Sequence, residues 1–336
     1  MLLVYNVSAI LLVLVFYRWL KKREFDWRAA EPQVYRPFVG KGGDYRLTMG
    51  VRSLADDDPW LRIENTYLQR TEAKQRIMEQ HRQNTVLHNE IANDALRETY
   101  DVVMAYMLRR YPTCFRQTGS GKIMNTIRHC ALPADATGFD KVEDLVMTLG
   151  RNVEEDLLVL MKNDADGLYY LRGGTFGFPS GFDPAEKLNK PLAHIHAPVP
   201  GYKERLEKPM DVYFDRIRPG RWVERFNWNI QPHDELYVPE ANHADQDDQL
   251  DELKMEDLDF SRVYLRVERQ CLTRLPNTQA VLFSIRTHLT PLTQLVREQC
   301  IHDLIPAIDA LPPAMAQYKR RPAWGNAVKQ WICSNA

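Results

Sequence analysis

"RVYLRVERQCLTRLPNTQAVLFSIRTHL", residues 262 to 289, is the stretch on which the fold turns. Two β-rich runs flank Pro276-Asn277, a pair of turn-forming residues, so it reads as a long antiparallel hairpin. Alternate side chains of a strand share a face. In the first run Leu265, Val267, Arg269, Cys271 and Thr273 go one way, and Arg266, Glu268, Gln270, Leu272 and Arg274 the other. In the second run Val281, Phe283, Ile285 and Thr287 oppose Leu282, Ser284, Arg286 and His288. Charged and apolar residues are therefore mixed, whereas a sheet dividing core from water segregates them. A curved sheet lining a polar pocket explains the mixing. So does an exposed face carrying ion pairs, which composition favours because charged residues are mostly exposed.

Working outward, "DLLVLMKN" (156–163) and "LYYLRGGTFGFP" (168–179) flank the turn Asp164-Ala165-Asp166-Gly167 and read as a second hairpin. "RWVERFNWNI" (221–230) reads as a further strand. Helical pattern runs through "WLRIENTYLQRTEAKQRIMEQH" (60–81), with Asp58 as N-cap and Pro59 at the first helical position. It returns in "ANDALRETYDVVMAYMLRRY" (92–111), where Leu96, Tyr100, Val103 and Met107 recur at helical spacing, and in one or two closing helices over 291–319. Helices at both ends of antiparallel strands predict an α+β domain. The acidic stretch "PEANHADQDDQLDELKMEDLD" (239–259) reads as a solvated surface insertion. Internal repeats, GxGxxG, P-loop and GxSxG patterns are absent from the sequence.

The chain has 336 residues and a formal net charge of -1, which gives no electrostatic case for a nucleic-acid partner. Its five cysteines are widely spaced and form no CxxC pair, so they read as free thiols rather than a disulfide framework or a metal centre. Residues 2 to 20 are nearly continuous apolar sequence, followed by Lys21, Lys22 and Arg23. A helix of about 20 apolar residues spans a bilayer. The run lacks a positive leading region and a cleavage site, so it reads as an uncleaved transmembrane helix, with the positive flank placing the globular body in the cytosol. The expected layout is a membrane anchor over 1–22, a linker over 23–44 broken by prolines and glycines, a domain over 45–320 and a tail over 321–336.

"KLNKPLAHIHAPVPGY" (187–202) holds His194 and His196 on an apolar segment braced by Pro191, Pro198 and Pro200, which argue against a helix or a central strand. A neutral imidazole on a stiff backbone suits the proximal side of haem iron, with Ile195, Val199, Phe176, Phe178 and Phe182 as an apolar wall. A hydrogen-bonded core histidine or a surface loop histidine is the commoner outcome. His-x-His also suits zinc, but no third ligand stands at a suitable spacing; His129, His233 and His243 are scattered.

A set of segments in order then resembles a known family. It comprises "YRLTMGVRSLADDDPWLRIENTYLQR", "RYPTCF", "VEEDLLVLMKNDADGLYYLRGG", "FPSGFDPAEKLNKPLAHIHAPVPGY", "FNWNI", "RVERQCLTRLPNTQAVLFSIRTHLTPL" and "LPPAMAQYK", spanning about 45 to 320. The set resembles the haem-dependent oxidative N-demethylase α-subunit-like family. The resemblance implies a PAS-like sheet enclosing haem, and oxidation of a small methylated amine with release of formaldehyde. It implies His196 as the iron ligand and places Arg225 and Glu268 in the distal pocket. Glu268 would pair with the amine and Arg225 would balance that carboxylate or donate to dioxygen. Arg266 and Arg269 are candidates for the haem propionates. One departure is Phe226, where the family pattern before Asn-Trp has serine. The sequence carries no flavin fingerprint and no cysteine set for an iron–sulfur cluster, so a separate reductase, flavin- or iron–sulfur-dependent, is the expected electron donor. A haem-binding PAS-type sensor without turnover and a non-haem membrane-tethered scaffold are the competing readings.

Overall fold

The computed structural model describes residues 25–40 and 45–335. Its strands are β1 (Arg52–Ser53), β2 (Val86–His88), β3 (Phe115–Gln117), β4 (Lys122–Asn125), β5 (Cys130–Pro133), β6 (Asp156–Lys162), β7 (Tyr169–Thr175), β8 (Val223–Gln231), β9 (Tyr264–Arg274) and β10 (Val281–Pro291). Seven of them form one sheet in the order β1-β8-β9-β10-β6-β7-β2, and β3-β4-β5 form a small second sheet. The named strand pairs are all antiparallel, and helices cover both faces of the large sheet, so the fold is α+β. The predicted anchor over 1–22 lies outside the described residues. Among the described residues no helix is long and apolar enough to cross a membrane.

The hairpin at 262–289 is the centre of the sheet. β9 and β10 pair along their whole length, from Val281↔Arg274 to Pro291↔Tyr264. Their turn is fastened from outside: Glu98, on the helix Asn93–Arg110, accepts from the backbone N–H groups of Asn277 at 2.7 Å and Thr278 at 2.8 Å. Its Oε2 also accepts from Thr278 Oγ1 at 2.5 Å. Replacing Glu98 with Ala leaves these donors without their acceptor and should lower stability by about 1–3 kcal/mol, measured as a shift in the denaturant midpoint with an unchanged slope.

The second hairpin, β6–β7, carries an irregularity in register at Val159/Leu160. Nearby Gly174 has φ +133°, and a Cβ there would lie 2.0 Å from the carbonyl oxygen of Leu157, so the strand crossing requires glycine.

Three expectations are corrected. The first helix starts at Tyr67 rather than after Asp58-Pro59. Trp60, Leu61, Ile63 and Glu64 are all buried, a near-continuous burial that an amphipathic helix does not produce, and the chain runs irregularly there. The expected tail carries the helix Arg321–Asn335, whose Trp324, Val328 and Ile332 are buried against β9 residues Leu265 and Val267 and their neighbours. Finally, the charged residues of the hairpin are not on an exposed face: Arg266, Arg269 and Arg286 are each at most 2% exposed.

The two faces of the sheet carry different cores. One face bears Glu224, Arg269 and Arg286 and packs against the helices Tyr67–Gln80, Asn93–Arg110 and Val142–Asn152 and the C-terminal helices. Arg286 sits there among Glu64 at 2.6 Å, Glu154 at 2.8 Å and Glu155 at 2.9 Å. The other face bears Arg225, Asn227, Arg266 and Glu268 and packs against the segment 188–217.

Candidate functional site

The site is built from the second face. Register sets Arg225 opposite Gln270, Asn227 opposite Glu268 and Asn229 opposite Arg266. In the middle of β9 every residue from Leu265 to Thr273 is buried except Glu268. Across from it, Arg225 and Asn227 are also half-buried, and on the same face so is Phe283 of β10. Side chains in the middle of a sheet covered by helices reach solvent only where the cover stands off. Glu268, Arg225, Asn227 and Phe283 thus mark where the cover of this face is incomplete, beside the proline-braced segment, whose Ile195 and Val199 join the same apolar cluster as Phe283.

That segment is a correction to the sequence reading. Pro191 caps one helical turn, Leu192–Ile195, and His196 follows as its C-terminal cap. The prolines bound the turn rather than exclude it, because a proline before the first residue sacrifices no hydrogen bond. The turn separates the two histidines: His194 is exposed, while His196 is half-buried. His196 stacks on Tyr202, with ring centroids 5.0 Å apart and planes 15° from parallel. Its Nδ1 lies 2.9 Å from the carbonyl oxygen of Leu192. Burial, opposed by that carbonyl and aided by Arg225, pulls its pKa down to about 4, so the ring is neutral at physiological pH. A neutral ring facing a carbonyl through Nδ1 carries its proton there, and Nε2 is left with a free lone pair. A backbone carbonyl on the far nitrogen is the usual orienting partner of a metal-bound histidine.

The remaining predicted residues divide by face. Glu268 lies with Arg266, whose Nε is 3.3 Å from Oε1, and with Gln270, whose Nε2 donates to Oε2 at 3.2 Å. Arg225 shares the face, and burial pulls its pKa down against the opposing pull of Glu268. Arg269 does not belong to this group and its assignment is corrected: as an odd-numbered residue of β9 it points to the other face. There its Nε donates to Glu224 at 2.7 Å and its Nη1 to the carbonyl of Pro59 at 2.8 Å. Phe226 also points away from Arg225 and packs on Tyr35, centroids 4.9 Å apart, so it does not narrow the pocket.

The apolar wall matches in part. Phe176, Phe182, Ile195 and Val199 join one cluster with Leu158, Leu272 and Ile285. Phe178 instead lies under Arg70 and Lys74 of the first helix.

Lys319 and Tyr318 were not singled out from sequence, and His243 only as a scattered candidate ligand. Lys319 and Tyr318 enter from the C-terminal segment, and His243 stacks on Tyr318 with centroids 4.3 Å apart. A Cβ on Gly181 would lie 2.5 Å from the His243 ring, so only glycine permits this approach. His243 and Asn242 belong to the stretch read as a solvated insertion; Asn242 is buried, and a continuous exposed run begins at Asp245. "LPPAMAQYK" was visible as a family segment, but nothing in it announces a buried lysine.

The donor set fits haem. His196 offers Nε2 to iron beside an apolar wall. Arg266 Nη1 and Arg225 Nε are buried and have no partner among the described residues. Unpartnered buried donors are uncommon, and a propionate oxygen is an acceptor of the required kind. Zinc is not favoured by the His-x-His pair, since the described residues contain no group of three or more His, Cys, Asp or Glu able to hold a metal. A separate cleft of about 900 Å³, lined by Phe25, Arg62, Glu64 and Tyr111, lies elsewhere. Its Glu64 is already engaged by Arg286, and its Tyr111 hydroxyl donates to the carbonyl of Leu61 at 2.9 Å. The family model described as haem-dependent oxidative N-demethylase, alpha subunit-like, matches residues 50–329.

Proposed function

Since the chain belongs to the haem-dependent oxidative N-demethylase α-subunit-like family, we propose that it holds haem through His196 and demethylates a small secondary or tertiary amine, releasing formaldehyde. The observation that carries this reading is the His196 ring, neutral, stacked on Tyr202 and tied by Nδ1 to the carbonyl of Leu192, which leaves the Nε2 lone pair free for iron. When bound, haem supplies activation of dioxygen: with two electrons and two protons, one oxygen atom enters an N-methyl C–H bond and the other leaves as water. The hydroxylated methyl group then leaves the nitrogen as formaldehyde.

This chain's residues supply the binding and orientation. Glu268 offers a carboxylate to a protonated amine and orients its N-methyl group. Arg266 fixes that carboxylate at 3.3 Å and offers its unpartnered Nη1 to a propionate. Arg225, half-buried with its Nε unpartnered, balances Glu268 or donates to dioxygen. Electrons come from a separate flavin- or iron–sulfur-dependent reductase, and the apolar run 2–20 holds the body near a membrane.

Replacing Glu268 with Gln removes the charge and keeps the shape. Formaldehyde release at low amine concentration should fall by about 10- to 100-fold, as for loss of a charged hydrogen bond, while the haem spectrum is retained. Unchanged turnover would remove Glu268 from substrate binding. A variant and parent that both hold haem, yet form no formaldehyde from any amine with reductant and oxygen, would identify a sensor instead.

A further inference from the structure

Lys319 has no part in the demethylase reading as it stands. It is 7% exposed, and its Nζ donates to the carbonyl of Trp228 at 2.6 Å and to Asn227 Oδ1 at 3.3 Å. Asn227 is the direct cross-strand partner of Glu268. Directly opposed residues of an antiparallel pair have Cβ atoms about 5 Å apart. The Lys319 ammonium is thus seated one side chain away from the carboxylate that the reading assigns to the amine. Two of its three N–H donors are satisfied by Asn227 and Trp228. Its charge has no carboxylate within ion-pair distance among the described residues, where Glu268 is paired with Arg266 instead.

We propose that Lys319 is a specificity-determining residue: its ammonium competes with a cationic amine for the field of Glu268, so amine binding depends on whether Lys319 is charged. The inference rests on the demethylase reading of Glu268. The charged and titratable groups around Lys319 are Glu268 and Arg266 from β9, Arg225 from β8, Tyr318 on its own segment and His243 stacked on Tyr318. His243 is held neutral by burial and Tyr318 is held protonated by burial, so neither changes charge near neutral pH. Arg225 and Arg266 stay cationic. Lys319 is different: burial pulls its pKa down to about 8, against the opposing pull of Glu268. The sign follows. Below that value Lys319 is charged and repels an ammonium ligand; above it Lys319 is neutral and the repulsion is gone.

The test is calorimetric titration of haem-loaded protein with dimethylamine, which stays protonated from well below to well above pH 8. Affinity of the parent protein should rise by on the order of tenfold across that range, as expected for removal of one nearby charge at protein-like screening. Lys319→Met should bind tightly throughout, and Lys319→Arg weakly throughout, because a guanidinium keeps its charge. A flat parental profile, or an arginine variant that rises like the parent, would overturn the proposal. Equal loss of haem from both variants would also overturn it, by making Lys319 a haem-binding residue. The two readings fail separately: haem-loaded protein that binds no dimethylamine at any pH removes the substrate assignment itself, whereas binding with no pH step removes only the role of Lys319.

Discussion

His196→Ala should purify without haem. Iron bound through that imidazole would lose its bond, and the neighbouring His194, two residues away, is exposed on the far side of the same helical turn. The loss should exceed the roughly 10- to 100-fold that disturbing a ligand's outer partner alone produces. Absorbance of the purified variant, scaled to protein, measures it. The matched control is His194→Ala, which should keep the full haem band. Both variants remain folded, because neither ring fills the centre of a core. Haem retained by His196→Ala and lost from His194→Ala would reverse the assignment.

Arg286→Met has the second largest expected effect, and it falls on stability. Arg286 is 1% exposed and lies within 2.9 Å of Glu64, Glu154 and Glu155, three carboxylates brought to it from segments at 64 and 154–155. Removing the central cation leaves these groups buried and mutually repelling, with Arg70 as the nearest remaining partner of Glu154 at 3.3 Å. The expected cost is about 3–5 kcal/mol, the usual penalty for breaking a buried pair on one side only. Burial already raises the Glu154 pKa, against the pull of Arg286 and Arg70. A carboxyl whose folded pKa lies above its unfolded value loses stability as pH rises from the unfolded value through the folded one. Without Arg286 that rise grows, so the deficit of the variant should be greatest at neutral pH and shrink toward acid. Denaturant midpoints at two pH values check both the size and the direction; a deficit independent of pH would count against uncompensated charge as its cause.

The pair of hairpins and β8 were legible because strand parity is local: the faces of "LRVERQCLTRL" follow from counting. Which face meets water is not local. Arg286 looked like a surface residue because its partners Glu64, Glu154 and Glu155 stand 131 to 222 positions away in sequence. The same parity separates Arg266 from Arg269. Even-numbered Arg266 and odd-numbered Arg269 lie on opposite faces of β9, and Arg269 is spent on Glu224.

The histidine segment was legible in chemistry but not in shape. Three prolines suggested an extended run, whereas they leave room for one helical turn between Pro191 and Pro198, and that turn is what sends His196 inward and His194 outward. Lys319 was not legible at all. A lysine between tyrosine and arginine near the end of a chain looks solvated, and its burial comes from a carbonyl and an amide on β8, about 90 residues earlier. Short β-strands at 115–133 and the helix Val142–Asn152 were also not anticipated, although the helix has Val142, Leu145, Val146 and Leu149 at helical spacing.

The central claim is that His196, with the Arg225/Glu268 face of the sheet, holds haem. An absorption spectrum of the chain purified from haem-replete cells tests it most directly. An intense Soret band at close to one haem per chain is the predicted result. Folded protein with no such band, even after incubation with excess haem, would contradict the account.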